Sequence, residues 1–270
     1  MAITLEQIVA RTRERVAQAR QSADREALAA QAQRHGVRGF RRALERRQSS
    51  GPAIIAELKQ ASPSRGTLRG SFHVASLALQ FEGAGAAALS VLTEEELFSG
   101  SLANLVEASA ACALPCLRKD FLVDELQLVE ARANRADAVL LIAAALSETE
   151  LKDLAQKSRQ LGLGVLCEIH DEGELGRALD AGCDLIGVNS RDLRTLEVDL
   201  GTALRLGPKI PDGVLRVAES GIRTADDLRR LSAAGFHAFL IGESLMQSEM
   251  PGEALARLLA DYTGDAPPKG

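Results

Sequence analysis

From residue 53 onward the chain alternates short apolar runs with turn signals and amphipathic stretches. The runs are AIIAEL (53–58), AALSVL (87–92), PCLRK (115–119), DAVLLI (137–142), GVLCEI (164–169), LIGVN (185–189), LRVAES (215–220) and AFLIG (238–242). Runs of this length, apolar on both faces, predict parallel strands covered by helices on either side. Their starts lie 21 to 34 residues apart, too irregular for a solenoid and typical of β/α units with variable loops. Eight such units most economically close into an eightfold β/α (TIM) barrel. A doubly wound open sheet is the runner-up, but the first run is followed by no glycine-rich dinucleotide fingerprint.

Before the barrel, residues 3–20 and 22–34 carry helical periodicity, and GVRGFRRALERR predicts a further short helix. The division expected is a helical extension over 1–50, packed on a barrel over 51–265, forming one compact domain overall. No Gly/Ser- or Pro-rich linker separates the two, and the tail GDAPPKG reads as frayed. Capping signals support the element boundaries. Thr224 with Asp227, and Ser147 with Glu150, have the three-residue spacing of a capping box.

Composition narrows the function classes. With 46% apolar and 26% charged residues the chain is an ordinary globule, and 3% aromatics without tryptophan argues against base-stacking surfaces and hence against nucleic acid. The longest apolar run, ADAVLLIAAAL, is too short to span a bilayer. The charged N-terminus lacks a signal-peptide core, so a cytoplasmic protein is expected. Cys112, Cys116, Cys167 and Cys183 lie in apolar segments without a CxxC pair and read as reduced core thiols. His35, His73, His170 and His237 form no metal-binding spacing, so no metal is expected. Net charge is −5, yet residues 1–50 hold eleven arginines against five acids, leaving −11 on the rest. These arginines sit at helical spacing and read as a solvated helix face, with a basic rim near an anion site as the alternative.

In a β/α barrel the chemistry lies at the C-terminal ends of the strands. The first run ends with Glu57 and Lys59, the third with Lys119, the fifth with Glu168, the sixth with Asn189, the seventh with Glu219 and Ser220, and the eighth with Gly242. Residues two apart on a strand share a face, so Glu57 and Lys59 point the same way. Charges gathered there shift one another's pKa, which equips lysine and glutamate for acid–base work near neutrality. A set of buried ion pairs without chemistry is the plainer alternative. ESGIRTADD after run seven and IGESLM after run eight supply the small residues that bring backbone N–H groups to an anion, in the two loops where this fold holds phosphate. The loop ASPSRG after Lys59 reads either as a lid or as a surface loop.

The segments IIAELKQASPS, ALSVLTEEELFSG, LRKDF, ADAVLLIAAAL, CEIHDE, GVNSRDLRTLEVD, VAESGI and AFLIGESLM, in this order, resemble the indole-3-glycerol phosphate synthases of tryptophan biosynthesis. The resemblance covers about residues 50–250, and the helical extension fits it. It implies a lyase that closes, decarboxylates and dehydrates an N-linked carboxyanilino deoxyribulose phosphate, without metal or organic cofactor. Within it, Lys119 corresponds to the general acid of ring closure, and Glu168 and Lys59 to the groups serving dehydration, in either order of donor and acceptor. Glu57 would hold a lysine, Asn189 would position the hydroxylated chain, and Glu219 would complete the polar ring. Ser62, Arg191 and Ser220 correspond to substrate contacts, Phe98 packs on the anilino ring, and Leu140 and Leu193 are apolar walls. Phosphate would rest on Lys59, Ser220, Gly221, Gly242 and, through its backbone, Glu243. The expected partner is this small phosphorylated substrate, with no nucleic acid or membrane, and the expected assembly a monomer or weak dimer. Departures from the family pattern are Glu96 and Leu97 after run two, and Asn134 and Arg135 where a glycine-containing turn is commoner. Rival readings are a phosphoribosylanthranilate isomerase, whose Cys/Asp pair at strand ends is missing here, a Schiff-base aldolase, and an inactive barrel used for binding.

Overall fold

The computed structural model describes residues 4–63, 65–193 and 195–264. Residues 1–3, of which Ile3 begins the first predicted helix, Ser64 of the ASPSRG loop, Arg194 and residues 265–270 of the tail lie outside the described residues. Eight parallel strands close into a barrel in chain order: β1 (Ala53–Leu58), β2 (Ala88–Leu92), β3 (Cys116–Lys119), β4 (Ala138–Ile142), β5 (Gly164–Ile169), β6 (Leu185–Asn189), β7 (Leu215–Glu219) and β8 (Ala238–Ile241). β8 pairs back to β1 through Ala53 with Ala238 and Ala56 with Ile241, so no edge strand is left. Each of the eight apolar runs is a barrel strand, displaced by a residue at most at either end.

Strand parity sorts the core into two shells. Ile54, Ala56 and Leu58 of β1, Val139 and Leu141 of β4, and Cys167 and Ile169 of β5 face outward into one cluster with the surrounding helices. Ala53 and Ile55, Leu117, Leu140, Leu166, Val217 and Leu240 face inward and fill the barrel. The inward parity continues to residues 57 and 59 of the first run, 119, 168, 189, 219 and 242, so the pleat alone aims these positions at the upper interior.

The helical extension comprises α1 (Leu5–Ser22), α2 (Arg25–Ala32) and α3 (Phe40–Gln48). Phe40 and Leu44 of α3 are fully buried in the inward cluster with Ala53 and Ala138, at the N-terminal ends of β1 and β4, and so seal the bottom of the barrel. Just ahead of α3, Arg38 enters a cleft around Asp137, whose side chain has no exposed surface. Asp137 accepts from Arg38 Nη2 at 2.6 Å, Arg38 Nε at 3.0 Å, the Arg38 backbone at 2.7 Å and the Cys116 backbone at 2.7 Å. His35 Nε2 lies 3.2 Å from the same carboxylate.

The arginines of α1 are not a free solvated face. Arg13 pairs with Glu150 at 2.8 Å, Arg20 with Asp124 at 2.8 Å, Arg15 with Glu94 at 3.9 Å and Arg11 with Glu96 at 3.7 Å. All four acids follow the C-terminal ends of β2, β3 or β4, so the excess positive charge of the extension is set against acidic loops of the barrel. Half-exposed pairs of this kind contribute little each, but together they fix where α1 lies.

The barrel helices follow from their local sequences. Between β1 and β2 runs α4 (Val74–Gly83), and after β2 come the short α5 (Glu95–Phe98) and α6 (Leu102–Ala111). Then follow α7 (Glu125–Ala133), α8 (Glu148–Gln160), α9 (Glu172–Asp180), α10 (Gly201–Leu206) and α11 (Ala225–Ala233). The four-residue α12 (Glu243–Met246) and the long α13 (Pro251–Thr263) follow β8. The capping boxes of Ser147 with Glu150 and Thr224 with Asp227 are formed at α8 and α11. Helix-to-strand turns place glycine in the left-handed region at Gly85, Gly162, Gly182, Gly213 and Gly235, whereas the α7–β4 turn places Arg135 there at φ 70°. A side chain in that region costs about 1 kcal/mol or more, so Arg135→Gly is expected to raise the thermal midpoint by a few degrees. A lowered midpoint would instead show that the Arg135 side chain holds the turn.

Candidate active site

A cavity of about 410 Å³ opens at the C-terminal ends of the strands. Of the residues singled out in the sequence, Glu57, Lys59, Phe98, Lys119, Leu140, Glu168, Asn189, Arg191, Leu193, Glu219, Ser220, Gly221, Gly242 and Glu243 all line it. Ser62 does not. It is buried in a two-residue hairpin, Ala61–Ser62 against Gly66–Thr67, that follows Lys59 beside the mouth.

Lys119 is the centre of the site. Its Nζ lies 3.2 Å from Glu168 Oε2 on β5 and 3.2 Å from Glu219 Oε2 on β7. The end of β3 is anchored from behind. Arg118, of opposite parity, binds Asp120 at 3.0 Å, the Gln127 carbonyl at 2.7 Å and Thr93 Oγ1 at 3.1 Å. Burial disfavours the Lys119 ammonium, but Glu219, Glu168 and Glu57 outweigh it and raise its pKa above the ordinary lysine value. Lys119 is therefore a fixed cation that donates hydrogen bonds to both carboxylates.

The two carboxylates are driven apart. Burial and the neighbouring Glu168 push Glu219 up to about 7, although Lys119 opposes them. Burial also works against a charged Glu168, yet Lys119, then His170, then a hydrogen bond from Asn189 bring its pKa below the ordinary value. The pair thus holds one ready base and one group titrating near neutrality, the condition for acid–base work in one pocket. Opposite them, Lys59 Nζ binds Glu57 Oε1 at 2.6 Å, and Glu57 is almost fully buried.

Two glycines make room for these acids. A Cβ on Gly187 of β6 would meet Glu219 Oε1 at 2.0 Å, and one on Gly242 would meet Glu57 Oε1 at 2.3 Å. Gly242 therefore clears space for a carboxylate as well as offering a backbone N–H. After β7 both Ser220 and Gly221 adopt left-handed backbone, φ 66° and 80°. Ser220 Oγ donates to Asn189 Oδ1 at 2.8 Å, which also accepts the Arg191 backbone at 3.0 Å.

Glu243 takes part by its side chain as well. Its carboxylate accepts from Arg191 Nη2 at 3.0 Å and Arg65 Nε at 3.2 Å, and Arg223 approaches to 4.0 Å. Arg65 and Arg223 escaped the sequence reading because only the fold brings their loops together. Phe121 also lines the mouth. It lies two residues beyond Lys119, so the same parity that aims the lysine inward was the signal for it.

A closed barrel whose mouth gathers two lysines and five glutamates has the make-up of an acid–base enzyme of the β/α-barrel class. Comparison with solved structures agrees on the fold. The thiamine phosphate pyrophosphorylase of Pyrococcus furiosus superposes with a TM-score of 0.59 at 15% identity, covering 79% of this chain and 96% of that one. The tryptophan synthase α subunit of Legionella pneumophila gives 0.60 at 14%, covering 85% and 98%. Sequence comparison goes further. Residues 5–258 match the indole-3-glycerol phosphate synthase family, and the chain belongs to it. Proteins named indole-3-glycerol phosphate synthase are 50% identical in Koribacter versatilis over 96% of this chain and 100% of the relative. The figures are 48% in Burkholderia ambifaria over 96% and 99%, and 47% in Chromobacterium violaceum over 96% and 98%.

Proposed function

We propose that this barrel mouth carries out the reaction of its family with Lys119 as the general acid. The observation that carries the assignment is the Lys119 ammonium held 3.2 Å from each of two buried carboxylates. Ring closure places a developing negative charge on the substrate carbonyl oxygen, and a fixed, charged donor in a water-poor pocket stabilises it. Loss of carbon dioxide then relieves the positive charge left on the ring system, with Glu219 and Glu57 as the nearby negative groups. Dehydration falls to Glu168 and Lys59, one as base and the other as acid.

The anilino ring would lie among Phe98, Leu140, Leu193 and Phe121. Asn189 and Ser220, locked together by their hydrogen bond, would meet the hydroxylated chain, with Ser62 held in reserve beside the mouth. The phosphate would rest on Lys59 and the backbone of Ser220, Gly221, Gly242 and Glu243, with Arg65, Arg191 and Arg223 supplying a positive rim. Four free thiols suit a reducing cytoplasm.

The raised pKa of Lys119 counts against a Schiff-base aldolase, whose lysine must be neutral to attack. Purified protein mixed with the carboxyanilino substrate is expected to develop indole fluorescence at neutral pH, and borohydride with a ketose phosphate to trap no lysine adduct. Absence of fluorescence from pH 6 to 9 with folded protein would end the proposal.

A further inference from the structure

We infer that His170, held by Glu174, stands behind Glu168 as its positioning residue and takes up the proton that Glu168 removes. The inference rests on the acid–base role proposed for Glu168. His170 follows the end of β5, two residues beyond Glu168, so the pleat carries both side chains to the same side. Glu174, in the first turn of α9, accepts from the His170 backbone at 2.7 Å and faces ring Nδ1 at 3.2 Å. Asp171 caps that turn by accepting the Glu174 backbone at 2.8 Å, so the clamp is built into the strand–helix connection.

A carboxylate at Nδ1 fixes the neutral ring with its hydrogen there and leaves the Nε2 lone pair free. Nε2 lies 3.6 Å from Glu168 Oε1, is cut off from solvent and has no hydrogen-bond partner among the described residues. The other oxygen of Glu168 belongs to Lys119. Glu168 thus stands between an ammonium on one oxygen and an unpartnered imidazole nitrogen on the other. Catalytic hydrogen bonds are often long before substrate is bound, and a shift of about half an ångström closes this one.

The proton balance is simple. Glu168 gains a proton from substrate, its O–H gives that proton to Nε2, and the products are a carboxylate and an imidazolium. The imidazolium is stabilised by Glu174 on its far side and by Glu168 and Glu219 on its near side. Arg177, also on α9, is committed to the carbonyls of Ala143 and Leu146 at 2.9 Å each. Lys119 is shared between Glu168 and Glu219, so the groups facing the ring are Glu168, Glu174 and Glu219.

Two measurements test this. In the substrate-free protein, ring 15N shifts of His170 are expected to titrate above the ordinary histidine value, and to fall by about one unit in Glu168→Gln. An unchanged titration overturns the coupling. In turnover, His170→Asn and Glu174→Gln are each expected to lower kcat at neutral pH by about 10- to 100-fold with KM changed less than about threefold. Both are also expected to move the acidic limb of the kcat profile up by about half a unit to one unit. A limb that stays in place, or a loss confined to KM, reduces His170 to packing. Should the wild-type protein make no indole product, the functional assignment fails, while the 15N titration still decides the His170–Glu168 contact. Glu174→Gln keeps the acceptor for the His170 backbone, so it answers the question even where His170→Asn melts early.

Discussion

Lys119→Ala is expected to cut kcat/KM by about 10³-fold, within the roughly 10²- to 10⁴-fold range of a lost general acid, while the barrel still folds. The side chain lies above a barrel interior that is filled without it, so no packing layer collapses when it is shortened. What is lost is the donor to the substrate oxygen and the cation shared by Glu168 and Glu219. The second loss has its own signature. Without the ammonium, two almost fully buried carboxylates face each other, and their folded-state pKa values rise above the unfolded carboxylate value. Such groups contribute stability at low pH that is lost as pH rises through the raised values. The variant's thermal midpoint should therefore drop between pH 5 and pH 8 by more than that of the wild type.

Lys119→Arg separates the two roles. It keeps the charge, and with it the stability near neutrality, but a larger planar guanidinium presents its N–H groups in a different geometry from the compact ammonium. Arginine should restore the melting profile and leave turnover low. Near-normal turnover in either variant, read by indole fluorescence, would remove Lys119 from its chemical role.

How far the sequence disclosed this site follows from which forces set it. Glu57, Lys59, Lys119, Glu168, Asn189 and Glu219 were legible because strand parity is local: once the eight runs are strands, the pleat decides which side chains enter the barrel. The capping boxes at Ser147 and Thr224 were legible for the same reason, each being complete within four residues. Arg65 and Arg223 were not, since their nearness to Glu243 depends on three loops meeting over the mouth. Gly187 carries no side chain to read in its apolar run, and only the Glu219 carboxylate lying over it explains why one is excluded. The α1 arginines read as solvated because their periodicity is helical, whereas their partners lie about 80 to 140 residues away in acidic loops. His170 was one of four scattered histidines until the fold set it between two glutamates.

The largest loss of stability is expected at the opposite end of the barrel, from Asp137→Ala. Removing one partner of a buried, hydrogen-bonded ion pair typically costs about 3–5 kcal/mol, because the other partner stays buried without compensation. Asp137 fits that case closely. Its carboxylate receives Arg38 and the Cys116 backbone, with His35 beside it. Arg38 would keep only the carbonyls of Ser109 and Cys112 and the Ser109 hydroxyl, at 3.2, 3.0 and 2.7 Å. For a chain of this size the loss corresponds to a thermal midpoint lower by roughly 10 °C. Asp137→Asn retains an acceptor for the Cys116 backbone and should lose less than the alanine variant. The clasp also joins the segment before α3 to the start of β4, so its loss loosens the plug formed by Phe40 and Leu44. Limited proteolysis should then cut the Asp137→Ala protein within residues 23–39 faster than the wild type at the same temperature below both midpoints. Equal midpoints, or equal cutting, would show that the extension is held by its apolar plug and the α1 ion pairs, with the buried clasp adding little.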